Sequence, residues 1–358
     1  MSCKRYWPAL ATGFWLACAG DAPRASRVPA SAYADAPDTL EGWNLFDDVA
    51  SMKPGPRTLP YDVIAPLFSD YAQKHRFVYL PEGETLGYHE RDPWTLPAGT
   101  ILIKTFSYAD PDDDAHTRWL ETRLLVFTAD DVQTHTYVFT ADGARNARKV
   151  AGATLSARFR DPLGDVRDHD YRVPNTNQCL ECHGKRPLTH ALGLRTRQLD
   201  RDLDYGSGPE NQLEHLHAKG WLDRAPQPFA ERERLVDPFG AAPLAERARA
   251  YLDSNCSQCH MPGGDAGASG LWIDWDHTGP DEPAATWGAC KRPTSAGGAN
   301  CGHEVDILPG NPERSIYMCR MRSSDPKVQM PPLGRSFVHD EAVELLRVWI
   351  EAMPGGCE

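Results

Sequence analysis

The chain has 358 residues, of which 41% are hydrophobic and 25% charged, so it is long enough to bury more than one hydrophobic core. A total of 50 acidic residues against 38 lysines and arginines gives a formal net charge of −12. This excess of negative charge argues against nucleic acid as a partner and favours a soluble surface that repels anions. Attraction of basic partner proteins and a contribution to solubility alone are the two alternatives for its role.

The first residues are typical of a secretory signal. Lys4 and Arg5 precede an apolar run at residues 7–19 that is too short to span a bilayer. We therefore predict a signal peptide at residues 1–19 and a periplasmic or outer-surface location. The end of this run also resembles a bacterial lipoprotein signal, which would place a lipid anchor on Cys18. Simple cleavage and acylation of Cys18 remain alternatives.

Residues 20–40 are rich in Ala, Pro, Ser and Asp and predict a flexible tether. Residues 41–207 predict a β-rich domain that ends with the first of two cysteine motifs. Its candidate strands are runs rich in Ile, Val, Phe, Tyr and Thr at residues 76–80, 100–108, 119–127 and 134–140. Pro, Gly and Asp separate these runs, as expected of an antiparallel sheet.

The second half of the chain has a helical pattern. A connector at residues 208–240 contains a candidate helix at 211–222, and the region 241–358 contains stronger candidates at 244–255 and 340–353. The predicted fold class is therefore α+β, with an N-terminal antiparallel β domain followed by a C-terminal all-α domain.

The pentapeptide Cys-x-x-Cys-His occurs twice in the chain. In each copy the two thiols can add across the vinyl groups of a haem while the histidine binds its iron, so the motif is the attachment signature of haem c. We predict two covalently bound haem c groups, with His183 and His260 as iron ligands. The attachment residues are Cys179, Cys182, His183, Cys256, Cys259 and His260.

A zinc site or two structural disulfides would also use four cysteines. Zinc knuckles usually lie close together in sequence, whereas these motifs are far apart. Neither alternative explains a histidine after both motifs. Haem attachment is the preferred hypothesis, and a zinc-stabilised binding module is the alternative.

Beyond the predicted signal peptide, four further cysteines lie outside the motifs: Cys290, Cys301, Cys319 and Cys357. An even number in an exported protein predicts disulfides. Among the three pairings we favour Cys290 with Cys301, which closes a short loop, and Cys319 with Cys357, which ties down the C terminus. Four free thiols are the alternative.

The region 241–358 resembles a class I cytochrome c. A helix runs into the second motif, a loop-rich middle follows, a methionine lies in a Pro-Pro loop, and a helix closes the region. In that family a methionine sulfur binds the iron opposite the histidine, and the resemblance assigns this role to Met330. Met318 and Met321 are the alternatives.

The second ligand of the first haem stays open. No methionine lies between Cys182 and Met261, so a sulfur ligand would come from Met52 or from the C-terminal region. His169 and His190 could each supply an imidazole. If neither does, the iron has an open side.

Most of the chain resembles a family of bacterial diheme c-type cytochromes, often hypothetical proteins, whose members can accompany a parallel β-helix protein. The matching segments are PLFSDYA at 66–72, IKTF at 103–106, ETRL at 121–124 and VPN at 173–175. The β domain ending in a motif is also similar to cytochrome P460, in which a lysine is crosslinked to the haem, and Lys104 is the candidate here.

These features predict an exported diheme cytochrome that transfers electrons to or from redox partner proteins, a parallel β-helix protein among the candidates. The alternative is a haem enzyme of the peroxidase or P460 type, with the first haem catalytic and the second as electron relay. Its catalytic residues, the electron donor and the electron acceptor are not apparent from the sequence.

Overall fold

The computed structural model describes residues 28–184, 191–294 and 298–357. These residues combine antiparallel β-sheets with short helices. The strands are β1 (Phe46–Asp48), β2 (Lys53–Pro54), β3 (Thr58–Tyr61), β4 (Gln73–Tyr79), β5 (Ile101–Asp110), β6 (Asp113–Phe127), β7 (Val132–Phe139), β8 (Asn146–Arg148), β9 (Ala153–Arg160), β10 (Val166–Val173), β11 (Asp202–Asp204) and β12 (Pro209–Asn211). The α-helices are α1 (Ala30–Ala34), α2 (Thr176–His183), α3 (Thr196–Leu199), α4 (Gln212–Ala218), α5 (Leu244–Asn255), α6 (Ile316–Arg322) and α7 (Asp340–Glu351).

The largest sheet has the order β3-β4-β5-β6-β7-β8, in which every neighbour is antiparallel. Its central strands β4 to β7 match the four predicted strands, so that prediction is confirmed. Alternate residues of a strand point to opposite faces. Accordingly Ile101 and Ile103 join one hydrophobic cluster and Leu102 joins another, because both faces of the sheet are covered.

The N-terminal segment that covers one face differs from the predicted tether. Val28, Ala32, Ala36 and Leu40 are all buried in the cluster beneath the sheet. These apolar residues recur at every fourth position, and composition alone does not show this spacing. The predicted signal peptide and Cys18 lie outside the described residues.

The C-terminal region is built around the packing of α5, α6 and α7. Leu252, Met318 and Leu346 contribute one residue from each helix to a shared core. Helix α5 has its predicted bounds, and α7 ends slightly earlier than predicted. Helices are nevertheless few, since long irregular segments connect them, and an all-α domain is not evident. No helix within the described residues is both long and apolar enough to cross a membrane.

The disulfides join Cys290 to Cys357 and Cys301 to Cys319, so the pairing favoured from the sequence is wrong. That pairing assumed that the shortest loop closes. In the structure the amide of Cys290 donates to Ile307 O at 2.9 Å, and Gly310 N donates to Ile350 O at 2.9 Å. These bonds bring the C terminus beside Cys290.

The segment at residues 66–72 joins the sheet region to the C-terminal region. Phe68 N donates to Asn255 Oδ1 at 2.7 Å, and the Phe68 ring stacks on His339 with centroids 4.0 Å apart. Asp70 Oδ1 accepts from Phe337 N at 2.9 Å. We call residues 66–72 the joining segment, because its bonds fix the end of α5 against the sheet.

A buried arginine strengthens the same junction. Arg197 in α3 is fully buried and donates to Asp276 at 3.0 and 3.2 Å and to Glu233 at 3.2 Å. Asp253 of α5 lies 3.9 Å from the same guanidinium. Burial raises the pKa of Asp253 above its usual value, although Arg197 acts to lower it. Helices α3 and α5 are therefore linked by a charge cluster that needs all its members.

Candidate cofactor site

The first motif occupies the second half of α2. The helix begins with a capping box, in which Asn175 Oδ1 accepts from Gln178 N and Gln178 Oε1 accepts from Asn175 N, both at 3.0 Å. Gly184, with φ 72°, ends it by donating to Leu180 O at 2.8 Å. Between these signals Cys179 and Cys182 lie on one side of a short helix, with His183 in its last turn.

The second motif forms the turn that follows α5. The amides of Cys259 and His260 donate to Cys256 O at 3.2 and 3.0 Å, and Ala266 N donates to Cys259 O at 3.0 Å. The chain therefore folds back tightly over the motif. Gly264 has no room for a side chain here, since a Cβ would lie 2.5 Å from Cys259 O.

The two motifs meet, although they are distant in sequence. Cys259 Sγ donates to Glu181 O at 3.8 Å, a contact between residues 78 positions apart. The thiols of Cys182 and Cys259 are also within hydrogen-bond contact, which lowers the pKa of Cys182. One cysteine of each motif thus faces its counterpart, and any two groups attached through them are held close together.

His260 is suited to bind a metal ion at a ring nitrogen. Burial lowers its pKa to about 4, which keeps the imidazole neutral, the form that ligates iron. Its Nδ1 is buried with no hydrogen bond of ordinary geometry among the described residues, as is the Nδ1 of His169. The backbone of Leu271 also acts on the His260 ring and opposes the effect of burial on its pKa. A buried neutral imidazole is the form that haem iron binds, so the residues present fit the group.

The cysteines within the described residues divide into two chemical classes. Cys290, Cys301, Cys319 and Cys357 form disulfides, while Cys179, Cys182, Cys256 and Cys259 are free thiols and only partly exposed. Burial raises the pKa of Cys256 to about 12. The structure thus leaves unpaired the four thiols that haem attachment requires.

The first motif faces three basic residues on the large sheet. Register pairs Arg76 of β4 with Lys104 of β5, and Lys104 with Arg123 of β6. We call these three residues the basic row. Cys179 is hydrogen-bonded to Thr136, the next residue across the sheet, and Cys182 lies near Lys104. The motif therefore lies over a positively charged stripe.

The charges of the basic row are compensated unequally. Arg76 donates to Asp62 at 2.7 Å, and Arg123 donates to Glu121 at 2.8 and 2.5 Å. Lys104 has no carboxylate within ion-pair distance among the described residues. Burial lowers the pKa of Lys104 well below its usual value, and both arginines act in the same direction.

The methionine candidates differ in their surroundings. Met318 and Met321 are 1% and 8% exposed and pack in the core of α5, α6 and α7, and Met52 is buried beneath the sheet. Met330 is half-buried in an irregular loop, where its amide donates to Arg320 O at 3.0 Å. Arg335 Nη2 donates to Met330 O at 2.9 Å and holds the loop. Among these, Met330 is the methionine outside the packed cores.

Of the histidine candidates, His169 lies in an aromatic cluster. Its Nε2 is 3.0 Å from Tyr108 Oη, and its ring contacts Phe159 and Phe337. Burial lowers the pKa of His169. His190 lies outside the described residues, so the second ligand of the first haem stays a prediction.

Sequence reasoning missed the basic row. Lys104 is a candidate only through resemblance, and the sequence pattern does not single out Arg76 or Arg123. The signal was nevertheless present, since IKTF and ETRL each carry a basic residue within an apolar strand. The strand register shows that these basic residues share a row, and the alternation of apolar and polar residues alone does not determine that register.

Comparison of the chain with protein-family models, with curated proteins and with solved structures finds no match. Within the described residues, no three histidines, cysteines or acidic residues converge as a metal-binding group. Haem c attachment requires two thiols and one imidazole in each motif rather than such a cluster.

Proposed function

We propose that this protein is an exported diheme c-type cytochrome that transfers electrons. The observation that carries the proposal is the meeting of the two Cys-x-x-Cys-His motifs, with Cys259 Sγ 3.8 Å from Glu181 O. A chain that bound two unrelated groups would have no need to bring the motifs together. Close attachment sites are what electron exchange between two centres requires.

Each motif supplies a complete attachment set. Cys179, Cys182 and His183 would hold one haem, and Cys256, Cys259 and His260 the other. Bound haem supplies one-electron redox chemistry at iron. The chain's own contribution is to fix the thiols on α2 and after α5, to bury His260 in its neutral form, and to place positive charge beside the first motif.

We extend the proposal to the C-terminal region. Residues 241–358 would act as a class I cytochrome c domain, with Met330 as the second iron ligand. The Met330 loop supports this role, because Met318 and Met321 already fill the core. The irregular segments between the helices would then enclose the haem.

The proposed location and partners follow from charge and cysteine chemistry. Two disulfides are typical of an oxidising compartment, here the periplasm or outer surface. A net charge of −12 favours basic redox proteins as partners. A parallel β-helix protein stays a candidate partner, and Cys18 stays the candidate lipid anchor.

A haem enzyme is the second candidate function, favoured by the basic row beside the first motif. Uncompensated charge next to a redox centre is typical of sites that bind a reacting ligand. Electron paramagnetic resonance of the ferric holoprotein separates the two functions. A high-spin haem that reacts with peroxide supports the enzyme, and two low-spin haems inert to peroxide support the carrier.

We expect the intact mass of the purified holoprotein to include two haems that survive acid-acetone extraction, because thioether bonds are covalent. The variant C179S/C182S should retain one haem, and C256S/C259S should retain the other. Mass spectrometry with a pyridine haemochrome spectrum measures both.

The matched control is the pair Cys301→Ser and Cys319→Ser, which removes two cysteines outside the motifs and should keep both haems. A haem-free mass for the wild-type protein, produced with a competent c-type maturation system, would overturn the proposed function. Zinc in a metal assay of that preparation would favour the binding module.

Met330→Ala should abolish the sulfur-to-iron absorption at the red end of the visible spectrum and lower the potential of one haem, since a thioether ligand raises it. Met353→Ala is the control, because Met353 packs beside α7. A variant with an unchanged spectrum would move the assignment to Met318 or Met321.

A further inference from the structure

The basic row carries more positive charge than its surroundings compensate. Like charges directly opposite each other on neighbouring strands destabilise a sheet. Asp62 pairs with Arg76 and also with Arg201, and Glu121 pairs with Arg123, so the three cations of the row have two carboxylate partners, one of them shared. Lys104, at the centre, is the residue left over.

The surroundings of Lys104 offer it no carboxylate, and of the groups that act on its charge only the Cys182 thiol can become an anion. Its Nζ lies 5.1 Å from the centroid of the Phe106 ring, and the nearby Lys74 adds a further positive charge. Lys74 already makes one hydrogen bond, because its Nζ donates to Ala72 O at 2.8 Å. An ammonium group held between arginines without a carboxylate costs stability, a cost that proteins retain mainly where the group has a function.

The position of Lys104 relates this charge to the first motif. Lys104 is half-buried, and it lies near Cys182 on the face of the sheet that α2 covers. The guanidinium groups on either side already bind their own carboxylates. The three N–H donors of the lysine are therefore the ones available to a new ligand.

We propose that Lys104 is the anion-binding residue of a site between the large sheet and the first motif, which takes one carboxylate or small oxyanion. Two sources have this chemistry. One is a propionate of the haem attached at Cys179 and Cys182, and this source rests on the proposed function. The other is a free inorganic oxyanion that reaches the same position beside the motif.

Lys104→Met tests the site, with Lys219→Met as the matched control. Lys219 is exposed at the end of α4, so the control makes the same change of charge away from the site. Haem content is measured first by the haemochrome spectrum. Sulfate is the probe for a free anion, measured by isothermal titration and by thermal unfolding against chloride at equal ionic strength.

If the anion is free, the wild type and Lys219→Met bind sulfate, and Lys104→Met binds it about tenfold or more weakly. Without sulfate, Lys104→Met is at least as stable as the wild type, because a buried amine with no carboxylate partner has been removed. The Lys219→Met control also accounts for the general stabilisation that sulfate gives any protein.

If the anion is a propionate, sulfate has no specific effect on the wild-type holoprotein. Lys104→Met then lowers the midpoint potential of one haem, since a nearby cation favours the reduced form, and Lys219→Met leaves both potentials unchanged. Equal sulfate responses and equal potentials in the wild type and Lys104→Met would overturn the proposal. A preparation without haem would overturn the proposed function, while the sulfate titration would still decide the anion site.

Discussion

Replacing Arg197 with methionine is expected to destabilise the protein by about 3–5 kcal/mol, because it removes the larger of the two arginine interactions, with Arg197 and Arg195, that offset the buried charge of Asp253. Methionine keeps most of the apolar stem of the side chain, so the measured loss of stability comes from the charge cluster and not from a cavity. Chemical denaturation of the wild type and the variant measures the difference. Arg314→Met, at an exposed position, should change stability by less than about 0.5 kcal/mol.

The loss on replacing Arg197 should depend on pH in a defined direction. Burial already raises the pKa of Asp253, and removing Arg197 raises it further. The folded variant then binds a proton at pH values where the unfolded chain does not, so its stability falls as the pH rises through the folded pKa. The destabilisation is therefore largest near neutral pH and shrinks as the pH falls toward the usual aspartate value of about 3.9. A loss that does not vary with pH would contradict this account.

The second large effect is expected from the disulfide between Cys290 and Cys357. It closes a loop with a sequence separation of 67, and its removal in C290S/C357S should cost about 4 kcal/mol through the entropy of the unfolded chain. The bridge between Cys301 and Cys319 has a separation of 18, and C301S/C319S should cost about 3 kcal/mol. Denaturation of both variants in oxidising buffer measures the two losses.

Peptide mapping without reduction checks the pairing itself. Digestion should release one peptide that links Cys290 to Cys357 and another that links Cys301 to Cys319. A peptide that links Cys290 to Cys301 would show that the pairing first favoured from the sequence is correct. The four motif cysteines should appear in neither disulfide-linked peptide.

The sequence was most informative where local chemistry decides the structure. The strands β4 to β7 follow from runs of β-branched and aromatic residues, and α5 and α7 follow from helical periodicity. The hairpin of β9 and β10 was missed, because its exposed face carries charges at positions such as Arg158 and Asp168 that hide the alternation. Local pattern therefore predicts elements well when one face is clearly apolar.

The candidate site shows which features local sequence patterns do not predict. Each motif is visible in the sequence, but the contact between Cys259 and Glu181 depends on how two distant regions pack. The same holds for the disulfides and for Lys104, whose neighbours come from other strands. Pairings between distant residues are set by tertiary packing, which spacing along the chain does not encode.

Contacts within the large sheet and contacts made by the joining segment are expected to form at different speeds. Strands β3 to β8 pair in chain order, and the longest connection between two neighbouring strands is residues 80–100. The bond between Tyr71 and Glu341, by contrast, joins residues 270 positions apart. Because closing long loops is slow, we expect the sheet to form early and the junction around residues 66–72 to form last. If the second motif attaches haem as proposed, it would then stay accessible to the attaching enzymes after the sheet has folded.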